Sequence, residues 1–208
     1  MEKTVYTSKD IEQAFLIPNR EQIYWVDRGY LEPDVQRERP RVFSSTQAVS
    51  AGFMRFFQNE GYLLERAARL AKISASVSLY ALQSRQQLPF EPESRLVIRN
   101  GKTGIAEIVF KNGEDIAARV FFHFATISDG IDRQEVLNVQ EDEPESVCTF
   151  DIDTVAKRLC AVLELDIESF SDFPQDPLVK IELTEDTERS LIGLEGDSYL
   201  DGASADTQ

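Results

Sequence analysis

From Tyr62 to Leu88 the chain reads as one long helix. Leu63, Ala67, Leu70, Ser74, Val77, Ala81, Ser84 and Leu88 alternate steps of four and three, the spacing of a heptad seam. A second row, Leu64, Ala68, Ala71, Ala75, Leu79 and Leu82, makes the apolar face wider than one partner needs. Many seam side chains are small, so they allow close approach but offer little apolar area. Two readings fit. One is a dimerisation helix, with Leu63, Ala67, Leu70, Val77 and Ala81 on the seam, that also touches its own chain. The other is an ordinary core helix, because periodicity does not separate the two.

The helix should stop at Leu88-Pro89-Phe90-Glu91-Pro92, where two prolines in four residues break it and stiffen the segment after it. Charge changes at the same place. Residues 1–88 carry a net +2 and residues 89–208 a net −17, which together make the −15 of the chain. Partners feel the local field, so the asymmetry is more informative than the total. A domain boundary is expected here, giving a weakly basic unit at 1–88, an acidic α+β unit at 89–183 and a disordered acidic tail at 184–208.

The remaining composition narrows the function. The N-terminus lacks an apolar signal core, and no run of about 18 apolar residues suggests a membrane span. Cys148 and Cys160 are the only cysteines and His123 the only histidine. That leaves little for a disulfide framework, a His-based metal site or a Ser-His-Asp triad. A cytoplasmic protein without cofactor or metal, and not an enzyme, is expected.

In the first unit, Ser8 opens a helix carrying Ile11, Ala14 and Phe15, and Pro18 stops it. Asn19 should cap a second helix through Ile23, Tyr24, Trp25 and Val26. Two short helices across a tight turn read as helix-turn-helix. Gln36-Arg37-Glu38-Arg39-Pro40-Arg41-Val42-Phe43 then suits an exposed wing. Ser44 or Ser45 should cap a third helix carrying Ala48, Val49, Phe53, Phe56 and Phe57, which Gly61 ends.

The chain here resembles the MerR family of winged helix-turn-helix regulators. The resemblance rests on Tyr6-Thr7-Ser8 with Ile11, on the block Tyr24-Trp25-Val26-Asp27-Arg28-Gly29-Tyr30-Leu31, on Arg41-Val42-Phe43-Ser44, and on Asn59-Glu60-Gly61-Tyr62-Leu63. It covers about residues 5–72. It implies a dimeric regulator that binds and distorts promoter DNA, with a variable C-terminal effector domain. The second helix would enter a major groove and present Arg20, Gln22, Tyr24 and Arg28. Arg37, Arg39 and Arg41 would meet phosphates or the adjacent minor groove. Trp25 is expected in the core.

In the second unit, Arg95–Arg99, Ile105–Phe110 and Ile116–Phe124 read as strands around two Asn-Gly turns, Asn100-Gly101 and Asn112-Gly113. They imply an antiparallel meander with one buried face, with Ile116, Ala118, Val120, Phe122 and Phe124 on one side. Val147–Asp151 should add a strand. Asp153 should cap a helix with Val155, Ala156, Leu159, Cys160 and Leu163 inward, and Leu178–Leu183 forms the last strand. His123 would lie opposite the Phe122/Phe124 side, with no catalytic partner in view. The cysteines read as small hydrophobes, and Glu141–Glu145 as a solvated acidic loop.

The leading expectation is a MerR-like transcription regulator that binds a dyad operator as a homodimer. Its C-terminal domain would sense a ligand or meet RNA polymerase or another protein. The alternative is an adaptor that uses a degenerate module of this type to bind protein instead of DNA. Asp27, Glu32, Asp34 and Glu38, acids in or near the DNA-facing elements, favour that alternative.

Overall fold

A computed structural model of the chain describes residues 5–34, 41–87, 90–99, 103–125, 147–165, 167 and 178–183. The expected wing tip with Arg37 and Arg39, the Asn100-Gly101 turn, the acidic loop at 141–145 and the tail from 184 lie outside these residues.

The chain opens with strand β1 (Val5–Thr7), which pairs antiparallel with β2 (Val42–Ser44) so that Tyr6 sits opposite Phe43. Helices α1 (Ser8–Phe15) and α2 (Asn19–Asp27) lie between them in sequence. A capping box starts α1: Thr7 Oγ1 accepts from the Asp10 amide at 3.3 Å, and Asp10 Oδ2 accepts from the Thr7 amide at 2.7 Å. The cap is therefore Thr7, one residue before the expected Ser8. Leu16 leaves the helix in the left-handed region, φ 56°. Pro18, not Asn19, precedes α2, and no side chain caps that helix. Ser44 Oγ accepts from the Gln47 amide and opens α3 (Ser45–Asn59). Gly61, at φ +88°, turns the chain toward α4 (Leu64–Gln87), which begins two residues later than expected.

The second half forms β3 (Glu91–Arg99), β4 (Thr103–Asn112), β5 (Asp115–Ala125), β6 (Val147–Phe150), α5 (Ile152–Leu163) and β7 (Leu178–Leu183). The sheet order is β6-β3-β4-β5-β7 with every pair antiparallel. This is an α+β architecture. Gly113, at φ +63°, lets β4 reverse into β5 as the Asn-Gly signal indicated. Pro92 lies inside β3, buried, and not in a linker. It fits because β6 pairs only with Leu96–Arg99, so at Pro92 one flank of β3 needs no amide donor from it. The cap of α5 is Asp151, whose Oδ1 accepts from the Thr154 amide at 2.9 Å. Asp153 is instead a buried residue of the helix, bound to Lys157.

The step at 88–89 changes the secondary structure without dividing the core. One cluster of buried side chains runs from Tyr6, Trp25 and Phe57 through Leu70 and Val77 to Leu96, Phe122 and Leu163. Helix α4 is enclosed by α3 on one side and by β3, β4 and α5 on others. This is why its side chains are small. Ser78 Oγ donates to the Ser74 carbonyl at 2.5 Å and Ser84 Oγ to the Tyr80 carbonyl at 2.8 Å, so both hydroxyls enter the core already satisfied. Gly52 on α3 marks the tightest junction: a Cβ there would lie 2.7 Å from Leu159 of α5 and 2.9 Å from Phe15 of α1.

The sheet departs from expectation on its other face, which is also buried. Ile105, Glu107, Val109, Phe121 and His123 are each at most 9% exposed. The Glu107 carboxylate is held there between Arg95 and Arg119, the latter at 3.5 Å. A register shift between Phe110 and Lys111 sets Ile116 opposite Lys111. It thereby leaves the row in which Ala118, Val120, Phe122 and Phe124 reach the core.

Candidate nucleic-acid interface

Helix α2 is fixed by its inward face. Trp25 is fully buried, and Gln22, three residues earlier and so on the same side, is fully buried too. Gln22 Nε2 donates to the Ile17 carbonyl at 2.8 Å and to the Ser8 carbonyl at 2.9 Å, tying α2 to the turn and to α1. This corrects the expectation that Gln22 reads base edges: its amide is spent on the backbone. From α3, Arg55 donates to Glu21 Oε2 at 2.7 Å, and its guanidinium lies 5.8 Å from the Trp25 ring centre. That clamp joins residues 30 or more apart, and no local pattern in the sequence announces it.

What remains outside is a row at helical spacing, Arg20, Tyr24 and Arg28, with Asp27 beside it, all exposed. Tyr24 is 47% exposed, and the Arg28 guanidinium lies 5.3 Å from its ring centre. Tyr24 is thus outside the core. Arg41, just before β2, is half-buried. Among the described residues Arg20, Arg28, Arg41 and Lys72 form no ion pair. In the second half Arg95, Lys111, Arg119 and Lys157 each lie against a carboxylate. Among the described residues unpaired positive charge therefore lies mainly on the N-terminal elements, although Arg158 of α5 is also unpaired and Glu32 and Asp34 are exposed on the N-terminal side.

The seam residues are placed differently from the dimer expectation. Ala67, Leu70, Val77 and Ala81 have no exposed surface within the single chain, so they serve its own core and cannot form a free seam. Leu63, at 82% exposed, precedes α4 and stands apart from them.

Elsewhere, burial pushes the Cys160 thiol up to about 12, while Cys148 is exposed on β6. Burial, followed by the contact with Cys148, raises the Tyr62 phenol above its ordinary value. Asp151 feels burial as its largest influence, upward. Its hydrogen bonds from Thr154 and the charge of Lys157 outweigh this and hold the carboxyl below the usual range. His123 is buried beside Phe121, with ring centres 6.5 Å apart. Among the described residues no helix is long and apolar enough to cross a membrane. No protein-family model matches the chain, and no curated protein shows significant similarity to it.

Proposed function

We propose that the chain is a MerR-like, cytoplasmic DNA-binding regulator without enzymatic activity, which docks α2 in a major groove. The observation that carries this reading is the exposed row Arg20–Tyr24–Arg28, free of carboxylate partners among the described residues, on the second helix of a helix pair. Arginine reads guanine edges and tyrosine contacts bases or sugar, so such a row suits a groove. Arg41 and the arginines before it add phosphate contacts that carry no sequence information. The regulator acts on a dyad operator as a homodimer, joined by a surface other than the enclosed row of α4. The acidic second half senses a ligand or meets a protein such as RNA polymerase.

The test is a titration of labelled promoter-sized duplexes. Binding that weakens with salt, and that Arg20→Ala shifts between sequences, supports the reading. The competing adaptor reading draws on exposed Asp27 beside Arg28 and on Glu32 and Asp34 beyond it, which repel phosphate. A chain that binds no duplex at low salt favours that reading.

A further inference from the structure

Past the end of α2 the surface opens into a cleft of about 480 Å³. It is lined by Arg28, Tyr30 and Glu32, by Gln47 and Ser50 of α3, and by Glu65, Arg69 and Lys72 of α4. Three cations from two distant parts of the chain therefore converge on one polar hollow. Among the described residues Arg28 and Lys72 have no acidic partner, and Arg69 is paired with Glu65 alone, at 3.6 Å with 37% and 60% of the two side chains exposed. An exposed pair of that kind is worth at most about 1 kcal/mol, so it leaves Arg69 open to a competing anion. The cleft is continuous with the proposed DNA face, because Arg28 both lines it and stacks on Tyr24.

We infer that this cleft seats a backbone phosphate of the duplex, with Arg28, Arg69 and Lys72 as its cationic walls. The inference rests on the DNA reading above and extends the contact from α2 onto α4. With α2 in the major groove, the strand that borders its C-terminal end passes over this hollow. The phosphodiester then meets Arg69 and Lys72, which no sequence motif marked. Glu65 opposes it, as the carboxylate that competes for Arg69. Glu32 adds to that opposition.

The test is fluorescence anisotropy of full-length protein with a pool of duplexes, measured at several salt concentrations. Arg69→Gln with Lys72→Gln should lower affinity equally across sequences. It should also reduce the slope of log K against log salt by up to about 0.9, the value for the single phosphate contact these cations make. Glu65→Gln should act in the opposite direction and tighten binding several-fold, which damage to the fold would not do. Arg158→Gln, on α5, serves as the control and should leave the slope unchanged. If wild type binds and Arg20→Ala weakens it, but the double variant keeps the wild-type slope, the phosphate seat is wrong while the DNA reading stands. If wild type binds no duplex, both fail. Inorganic phosphate at constant ionic strength supplies the last arm. Saturable binding of phosphate that the double variant abolishes, without any change in DNA slope, makes the cleft a small-anion site and overturns the inference.

Discussion

Gln22 does for the helix pair what a core residue does, through hydrogen bonds. Gln22→Leu keeps most of its volume but strips two carbonyls, at Ile17 and Ser8, of their donor. The expected loss is about 1–3 kcal/mol in urea unfolding, with DNA sequence preference unchanged; an unaltered midpoint would contradict that tie. The thiols should separate just as clearly. Cys148 reacts with a thiol reagent in the native state, whereas Cys160, buried and with its pKa raised to about 12, reacts only after unfolding. Two fast equivalents would show that α5 does not shield Cys160. Asp151 has a folded pKa below its unfolded one. Its contribution is therefore present above the unfolded value, about 3.9, and fades as pH falls through the lower folded value. Asp151→Asn should remove that part of the acid sensitivity, seen as a flatter melting temperature below pH 4. Identical acid profiles for the two proteins would argue against it. At this scale the sequence made Arg20, Tyr24 and Arg28 legible, since helical spacing alone puts them on one face. Gln22 was harder to place because its polarity suggests an outward side chain, yet its spacing from Trp25 already puts it inward.

Helix α4 shows how an element can be legible while its partner is not. Its length and its double apolar row are written in the chain, and the structure gives 24 residues of helix. What covers the rows depends on β3, β4 and α5, which come later in sequence, so spacing could not decide between a second copy and the chain itself. The consequence is measurable. Leu70→Glu would force a charge into a fully buried site, where a carboxylate without a partner is expensive. It should unfold the protein or lower its melting temperature sharply, not release a folded monomer. A folded monomer formed from a wild-type dimer would restore the seam. Gly52→Val tests the junction of α1, α3 and α5, because the added carbons meet Leu159 and Phe15. Overpacking of this kind costs about 1–3 kcal/mol, and a neutral result in chemical denaturation would mean that α5 yields easily. In the sheet, alternation and the Asn-Gly turn at 112–113 marked the strands correctly. Burial of the second face was hidden, because Glu107 and Arg119 have the composition of a solvated side.

At the scale of the whole molecule, charge and core divide the chain differently. Charge splits it at residue 88, with net +2 before and −17 after. The core does not split there: α4 is covered from both halves. Unfolding should therefore be a single event. Fluorescence of Trp25, the only tryptophan, and circular dichroism, which tracks both halves, should give one midpoint. Two separated transitions would restore two independent domains. The same coupling means that DNA binding is best judged on the complete chain, since a fragment ending near 88 exposes the face of α4 that the sheet covers. In that chain the −15 net charge opposes association, and salt screens that opposition over a Debye length of about 8 Å, so the balance against the cations near α2 is read from the salt dependence. The decisive measurement is anisotropy of a labelled pool of duplexes with full-length protein and its Arg20→Ala/Arg28→Ala variant, at about 50 and 200 mM salt. Wild type should bind, lose affinity steeply at the higher salt, and outbind the variant at both. No binding by wild type at the lower salt, or equal binding by the two proteins, would contradict a DNA-reading role for α2.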